Sequence, residues 1–202
     1  MTSVSTFEVI TGVAEWGGGD FTVRLDNSSW RCRASYIDQH PLHGLIHSAI
    51  DLYDHIFVAP YEIEDAVWDC RAADEPGGIV IRVTPEWENV RVQIFHYLSG
   101  SLWPSPKTSP EIPPVADRLV DYWNYAEAIW YDAARAIARQ GFTGLRDAWE
   151  PNRWDADSHF EVLPIEHFFY LAALVRYRSP RKSMSLSEEI AILRDMEEKN
   201  KS

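Results

Sequence analysis

The chain has 202 residues, a mass of 23.2 kDa and a formal net charge of −12, with 31 acidic against 19 basic side chains. The acidic excess argues against nucleic-acid binding through phosphate neutralisation. The longest apolar run, residues 168–175, is far shorter than the roughly 20 residues that a membrane span needs. Met1–Thr6 carry no positive charge, and Cys32 and Cys70 are the only cysteines, so we expect a cytoplasmic protein without a secretory signal or a disulfide framework.

Residues 1–101 are predicted to form a sheet-rich half. Alternating apolar residues predict strands around 7–13, 21–25, 30–36, 68–72, 79–83 and 90–94. Between the two strand triplets, apolar residues at helical spacing predict one helix over 41–57, which would cover the sheet. Because short turns join the strands, we expect antiparallel pairing in one sheet of about six strands.

Residues 102–114 contain five prolines and are predicted to form an extended connector. A helical half is expected over 115–178, with a long amphipathic helix that starts near Asp117 and stops at Gly141. The tail, 179–202, has a capping-box pattern at Ser185 and Glu188, followed by a thin apolar stripe. The whole chain is therefore interpreted as one compact α+β domain with a C-terminal helical half.

The strongest ligand-like cluster lies on the predicted covering helix. His43, His47 and Asp51 follow each other at intervals of four residues, so they share one helix face. Two histidines and a carboxylate at this spacing can bind zinc or iron. This face is opposite the apolar stripe, however, and Gly44 stands where a zinc protease would have its glutamate, so a solvated polar face is the competing interpretation.

Aromatic and acidic side chains occur together near the predicted turns and loops. Trp30, Trp68, Trp123 and Trp130 sit at periodic positions and are expected in the core. The others lie near turns, loops or the proline connector, where each can either cover the core or anchor a partner. Covering the core is the more common role for any one of them, but tryptophan is favoured at binding hot spots. They and their acidic neighbours form a candidate partner-binding set: Trp87, Glu88, Trp103, Trp149, Glu150, Trp154 and Asp155.

Catalytic signatures are missing from the sequence. It has no Gly-rich phosphate loop and no serine-hydrolase motif, and both cysteines lie in predicted buried strands. Acidic residues from Asp155 to Glu166 match a calcium-loop spacing, but Phe160 replaces the required glycine. His96 and His167 are single histidines in apolar elements, so we expect them to be core residues. No cofactor is expected.

Three segments resemble a group of small acidic bacterial proteins that includes immunity-type proteins of polymorphic toxin systems. They are residues 74–78 with the two strands that follow up to 97, the long helix ending near Gly141, and the stretch 144–149 before an apolar helix. The resemblance covers about residues 65–175. It implies a cytosolic protein that binds and blocks a toxin, and it implies no catalytic residues.

The favoured function is a non-enzymatic acidic protein that binds and neutralises a basic protein partner. It rests on the net charge, the aromatic residues of the loops and the missing catalytic signature. The alternative is a small-molecule-binding protein or a metal-assisted enzyme that uses the face of His43, His47 and Asp51. Neither nucleic acid nor membrane is expected as a partner.

Overall fold

The structure is a computed structural model that describes residues 5–12, 18–35, 41–59, 66–74, 77–97, 113–149, 165–179 and 185–199. Within these ranges the chain forms seven strands and four α-helices. The strands are β1 (Phe7–Thr11), β2 (Gly18–Leu25), β3 (Ser28–Ser35), β4 (Trp68–Asp74), β5 (Gly77–Glu86), β6 (Asn89–Tyr97) and β7 (Ala116–Asp121). The helices are α1 (Pro41–Tyr53), α2 (Tyr122–Trp149), α3 (Ile165–Tyr177) and α4 (Leu186–Lys199), and a π-helical turn, Asp54–Val58, follows α1.

The strands form two antiparallel sheets, in the orders β1-β2-β3 and β4-β5-β6-β7. The prediction of an α+β chain with antiparallel pairing is confirmed, whereas the prediction of one six-stranded sheet is wrong. Strands β3 and β4 do lie against each other, and the Cys32 thiol is 3.6 Å from the Ala72 carbonyl oxygen. Strands β3 and β4 are not paired by backbone hydrogen bonds, so the strands form two separate sheets.

Strand β7 occupies the segment that was predicted to begin the long helix. Val120 is fully buried and lies opposite Val90 of β6. The Asp117 carboxylate accepts hydrogen bonds from Arg91 at 3.0 Å and from Gln93 at 2.9 Å, both on β6. These cross-strand contacts make residues 116–121 the edge strand of the second sheet. The helix begins only at Tyr122, where the Asp121 carboxylate accepts the Asn124 backbone N–H.

The ends of the later helices agree only in part with prediction. Gly141, expected to stop α2, has φ of 69° and interrupts the helix, which then continues to Trp149. The capping box of α4 is confirmed, because the Ser185 N–H donates to Glu188 and the Glu188 N–H donates back to the Ser185 hydroxyl. Of the predicted apolar stripe of α4, only Met196 is buried, whereas Leu186, Ile190 and Leu193 are exposed; Ile192, outside the stripe, is buried as well. None of the described helices is both long and apolar enough to span a bilayer.

Helix α1 lies at the centre of one hydrophobic core that both sheets share with α2, α3 and α4. It contacts β4, α2 and α3, and nine of its thirteen residues are buried. The face that carries its histidines was expected to meet water. Instead, α3 packs against α1, and His43 is only 2% exposed. The expectation of a solvated face is therefore wrong for His43, whereas His47 and Asp51 on the same face are half-buried. The expectation treated α1 as a helix covered on one side only.

Gly44 allows α1 to approach β4 closely. A Cβ atom placed there would lie 3.4 Å from the Cys70 sulfur and 3.5 Å from its Cβ. We expect Gly44→Val to lower the free energy of unfolding by about 1–3 kcal/mol, because the added methyl groups would overpack this contact. Urea unfolding measures the change, with Ala191→Val on the exposed side of α4 as the control for β-branching in a helix. Equal losses in the two variants would contradict close packing at Gly44.

Candidate functional site

A cluster of three histidines joins two helices. His43 and His47 lie one turn apart on α1, and His167 lies near the start of α3. The ring centroids are 4.5 Å apart for His43 and His47 and 4.2 Å apart for His47 and His167. One potential ligand atom from each ring lies within 4.8 Å of the others. These three residues are called the histidine cluster below. Among the residues that the structure describes, they are the group whose spacing suits a metal ion.

His43 is the buried member of the histidine cluster. Neither of its ring nitrogens has a hydrogen-bond partner among the described residues. Burial, helped by the neighbouring imidazoles of His47 and His167, lowers the pKa of His43 to about 4. At neutral pH the ring is therefore uncharged, and one of its nitrogens carries an available lone pair.

His47 and His167 are half-buried and contact each other directly. His47 Nε2 is 3.0 Å from His167 Nδ1, which is hydrogen-bond distance, so one of the two nitrogens donates and the other accepts. His167 was predicted to be an isolated core histidine, and the packing of α3 on α1 places it in the cluster instead. The two residues are 120 positions apart, so no local pattern could have shown the contact.

Asp51, the third residue of the predicted metal-binding set, is not grouped with the histidines in the structure. Its carboxylate accepts a hydrogen bond at 3.0 Å from the indole N–H of Trp68 at the start of β4. His43 and His47 thus lie close together, as the helical spacing predicted. The third member of the cluster is His167 and not Asp51.

The predicted partner-binding set is described only in part. Trp103, Glu150, Trp154 and Asp155 lie outside the described residues, and so does the side chain of Trp149, the last residue of α2. Trp87 and Glu88 form the two-residue turn between β5 and β6, where Glu86 pairs with Asn89. Trp87 is 90% exposed and has φ of 59°, a left-handed conformation that is rare for a bulky residue. This turn is called the Trp87 turn below.

Acidic side chains surround the Trp87 turn. Arg91 pairs with both Glu86 and Asp117, at 2.7 and 3.0 Å. The Glu88 side chain is exposed and forms no ion pair with a residue that the structure describes. The Glu88 carbonyl oxygen accepts the Tyr122 N–H at 3.4 Å, which connects the turn to the start of α2. The turn therefore holds an exposed indole beside excess negative charge.

The two cysteines are buried and reduced, as predicted from the strand patterns. Burial raises the pKa of the Cys70 thiol to about 12, which outweighs the opposing effect of the nearby Ser48 side chain. Because only the thiolate is strongly nucleophilic, Cys70 is unsuited to nucleophilic catalysis at neutral pH.

A cavity of about 670 Å³ opens between β1, α2 and α4. Its lining mixes aromatic and charged side chains, including Trp130, Tyr131, Glu127 and Arg135. None of the predicted site residues that the structure describes contributes to this lining. The cavity is thus separate from both the histidine cluster and the Trp87 turn.

Comparison with known proteins gives no indication of what this protein does. No protein-family model matches the chain, and no curated protein or solved structure shows significant similarity to it. The resemblance to immunity-type proteins therefore stays a prediction.

Proposed function

We propose that this protein is a non-enzymatic acidic binding protein whose Trp87 turn contacts a basic protein partner. The observation that carries the proposal is the 90% exposure of Trp87 at the tip of a hairpin, in a left-handed backbone conformation. An immunity-type protein that neutralises a basic toxin is the specific form of this function that the net charge and the sequence resemblance favour.

Trp87 contributes little to the stability of the fold. A non-glycine residue with positive φ costs roughly 1 kcal/mol, and an indole in solvent gains nothing from burial. Asparagine or glycine would suit the same turn better. A large aromatic side chain held where it does not help folding is well placed to be buried by a partner, and tryptophan is among the residues most enriched at binding hot spots.

Electrostatics favour a basic partner. The chain carries a net charge of −12, and Glu88 beside Trp87 has no described counter-ion. Glu86 and Asp117 share the single guanidinium of Arg91, so this pair of carboxylates keeps net negative charge near the turn. Negative charge around an exposed aromatic anchor attracts a positively charged surface and raises its association rate.

Affinity capture tests the role of Trp87. The tagged wild-type chain, Trp87→Asn and Tyr131→Ala are each incubated with a lysate of the source cells, and the recovered proteins are quantified by mass spectrometry. Asparagine tolerates positive φ, so Trp87→Asn keeps the turn while removing the indole. Tyr131, on α2, is also an exposed aromatic residue and serves as the matched control.

We expect the wild-type chain and Tyr131→Ala to recover the same basic protein. The affinity of Trp87→Asn for the partner should fall about 30-fold or more, and its recovery should fall accordingly, since hot-spot residues contribute about 2 kcal/mol or more to binding. Equal recovery by all three chains, or recovery of no specific protein by any of them, would contradict the proposal.

A further inference from the structure

His43 is an unusual core residue because its polar atoms are buried without partners. The side chain is 2% exposed, and both ring nitrogens lack a hydrogen bond to any described group. Leaving a buried polar group unpaired costs about 1–3 kcal/mol. An apolar residue would avoid this cost, so a histidine at this position suggests that its nitrogen has a ligand.

The neighbouring rings are arranged so that they can share that ligand. His47 Nε2 and His167 Nδ1 lie 3.0 Å apart. One nitrogen from each of the three rings lies within 4.8 Å of the other two. In tetrahedral coordination with Zn–N bonds of about 2.0–2.1 Å, the ligand nitrogens lie about 3.3 Å apart. Binding would open the His47–His167 pair by a few tenths of an ångström, and side-chain rotations would have to direct one nitrogen of each ring at the ion.

The donor set indicates the class of ion. Three imidazole nitrogens without a carboxylate suit zinc and its first-row neighbours such as cobalt, nickel and copper. Calcium and magnesium prefer oxygen ligands, which this cluster does not supply. Asp51, the nearest carboxylate along the helix face, is already engaged by the Trp68 indole at 3.0 Å.

We propose that His43, His47 and His167 together bind one divalent transition-metal ion, with Zn²⁺ as the principal candidate. Binding replaces the hydrogen bond between His47 and His167 with two metal–nitrogen bonds. The proton that one of these nitrogens now carries moves to the other nitrogen of its ring, so both face the ion with a lone pair. The ion would connect α1 to α3, which the hydrogen bond between His47 and His167 already joins.

This site is independent of the proposed function, since none of its residues belongs to the Trp87 turn. The two proposals can therefore be tested separately. A chain that does not bind zinc could still capture a basic partner, and a chain that captures no partner could still bind zinc.

Calorimetric titration of the tag-free chain with Zn²⁺ tests the site. The variants are His47→Gln and His167→Gln, both at half-buried positions. The matched control is His96→Gln on β6, because His96 is exposed rather than being the core residue that was expected. Circular dichroism and thermal unfolding confirm that each variant is folded. We expect one Zn²⁺ per chain for the wild type and for His96→Gln, and at least about 100-fold weaker binding for the other two, because each loses one of three ligands.

Co²⁺ substitution in the wild-type chain provides a readout that needs no variant. Imidazole coordination at a four-coordinate site should give the intense visible absorption of tetrahedral Co²⁺, and Zn²⁺ should displace it. Zn²⁺ should also raise the melting temperature of the wild type but not of His47→Gln, because the ion binds only the folded cluster. No stoichiometric binding by the wild type, or equal binding by His47→Gln, would overturn the proposal.

Discussion

Replacing Asp132 with alanine is expected to lower the free energy of unfolding by about 2–4 kcal/mol. Asp132 is fully buried on α2, and its carboxylate accepts the Thr11 N–H at 2.9 Å and the Thr11 hydroxyl at 2.6 Å. Arg139 donates to the Thr11 carbonyl oxygen at 2.8 Å and strengthens the same connection. The alanine variant would leave the buried end of β1 without its acceptor on α2.

Chemical denaturation measures this loss, with Glu8→Ala as the control. Glu8 also belongs to β1, but its pair with Arg24 is exposed, and such pairs contribute at most about 1 kcal/mol. An Asp132→Ala variant no less stable than Glu8→Ala would show that the connection between β1 and α2 does not depend on the carboxylate.

The pH dependence gives a second readout of the same group. Burial raises the pKa of Asp132 above its ordinary value, despite the hydrogen bonds from Thr11. A raised pKa means that the folded state binds this proton more tightly than the unfolded state does. The stability of the wild type relative to Asp132→Asn should therefore fall as pH rises from about 4 through the folded-state pKa.

Replacing Tyr125 with alanine should cost still more, about 3–5 kcal/mol, because it removes a large aromatic side chain from the core. Tyr125 is fully buried on α2, and its ring centroid lies 5.0 Å from that of Phe7 on β1. Its hydroxyl lies 2.7 Å from the Ser48 hydroxyl, which donates to the Leu45 carbonyl oxygen on α1. The side chain thus contacts both α1 and the first sheet.

Thermal and urea unfolding of three variants separates these contributions. Tyr125→Phe should lose only about 1 kcal/mol, since it removes one hydrogen bond and keeps the ring. Tyr131→Ala, on the exposed side of the same helix, should lose less than Tyr125→Ala by several-fold. A Tyr125→Ala variant as stable as Tyr131→Ala would show that the core between α1, α2 and β1 is not packed as described.

Local patterns predicted the elements whose structure depends on neighbours in the sequence. The alternation of Phe7, Val9 and Thr11 matches the buried side of β1, and the turn near Glu86 joins β5 to β6. The spacing from Leu42 to Tyr53 matches α1. In each case the repeat of apolar residues identifies both the element and its buried face.

Long-range packing determined what the patterns could not predict. Leu119 and Trp123 are compatible with a continuing helix, and only pairing with β6 makes residues 116–121 a strand. Alternation identifies a buried strand face but not the neighbouring strand, so two sheets could not be distinguished from one. Two members of the histidine cluster, His43 and His47, could be predicted because they share a helix face. His167 could not, because it lies on a helix distant in the sequence.

The central claim, that the acidic Trp87 turn binds a basic protein, is tested most directly by association kinetics with the captured partner. Rates are compared for the wild type and Glu88→Lys at low and high salt, where electrostatic attraction is respectively strong and screened. We predict that the wild-type rate falls steeply with salt, that Glu88→Lys associates more slowly at low salt, and that the two rates converge at high salt. Equal rates for both chains at every salt concentration would contradict the account.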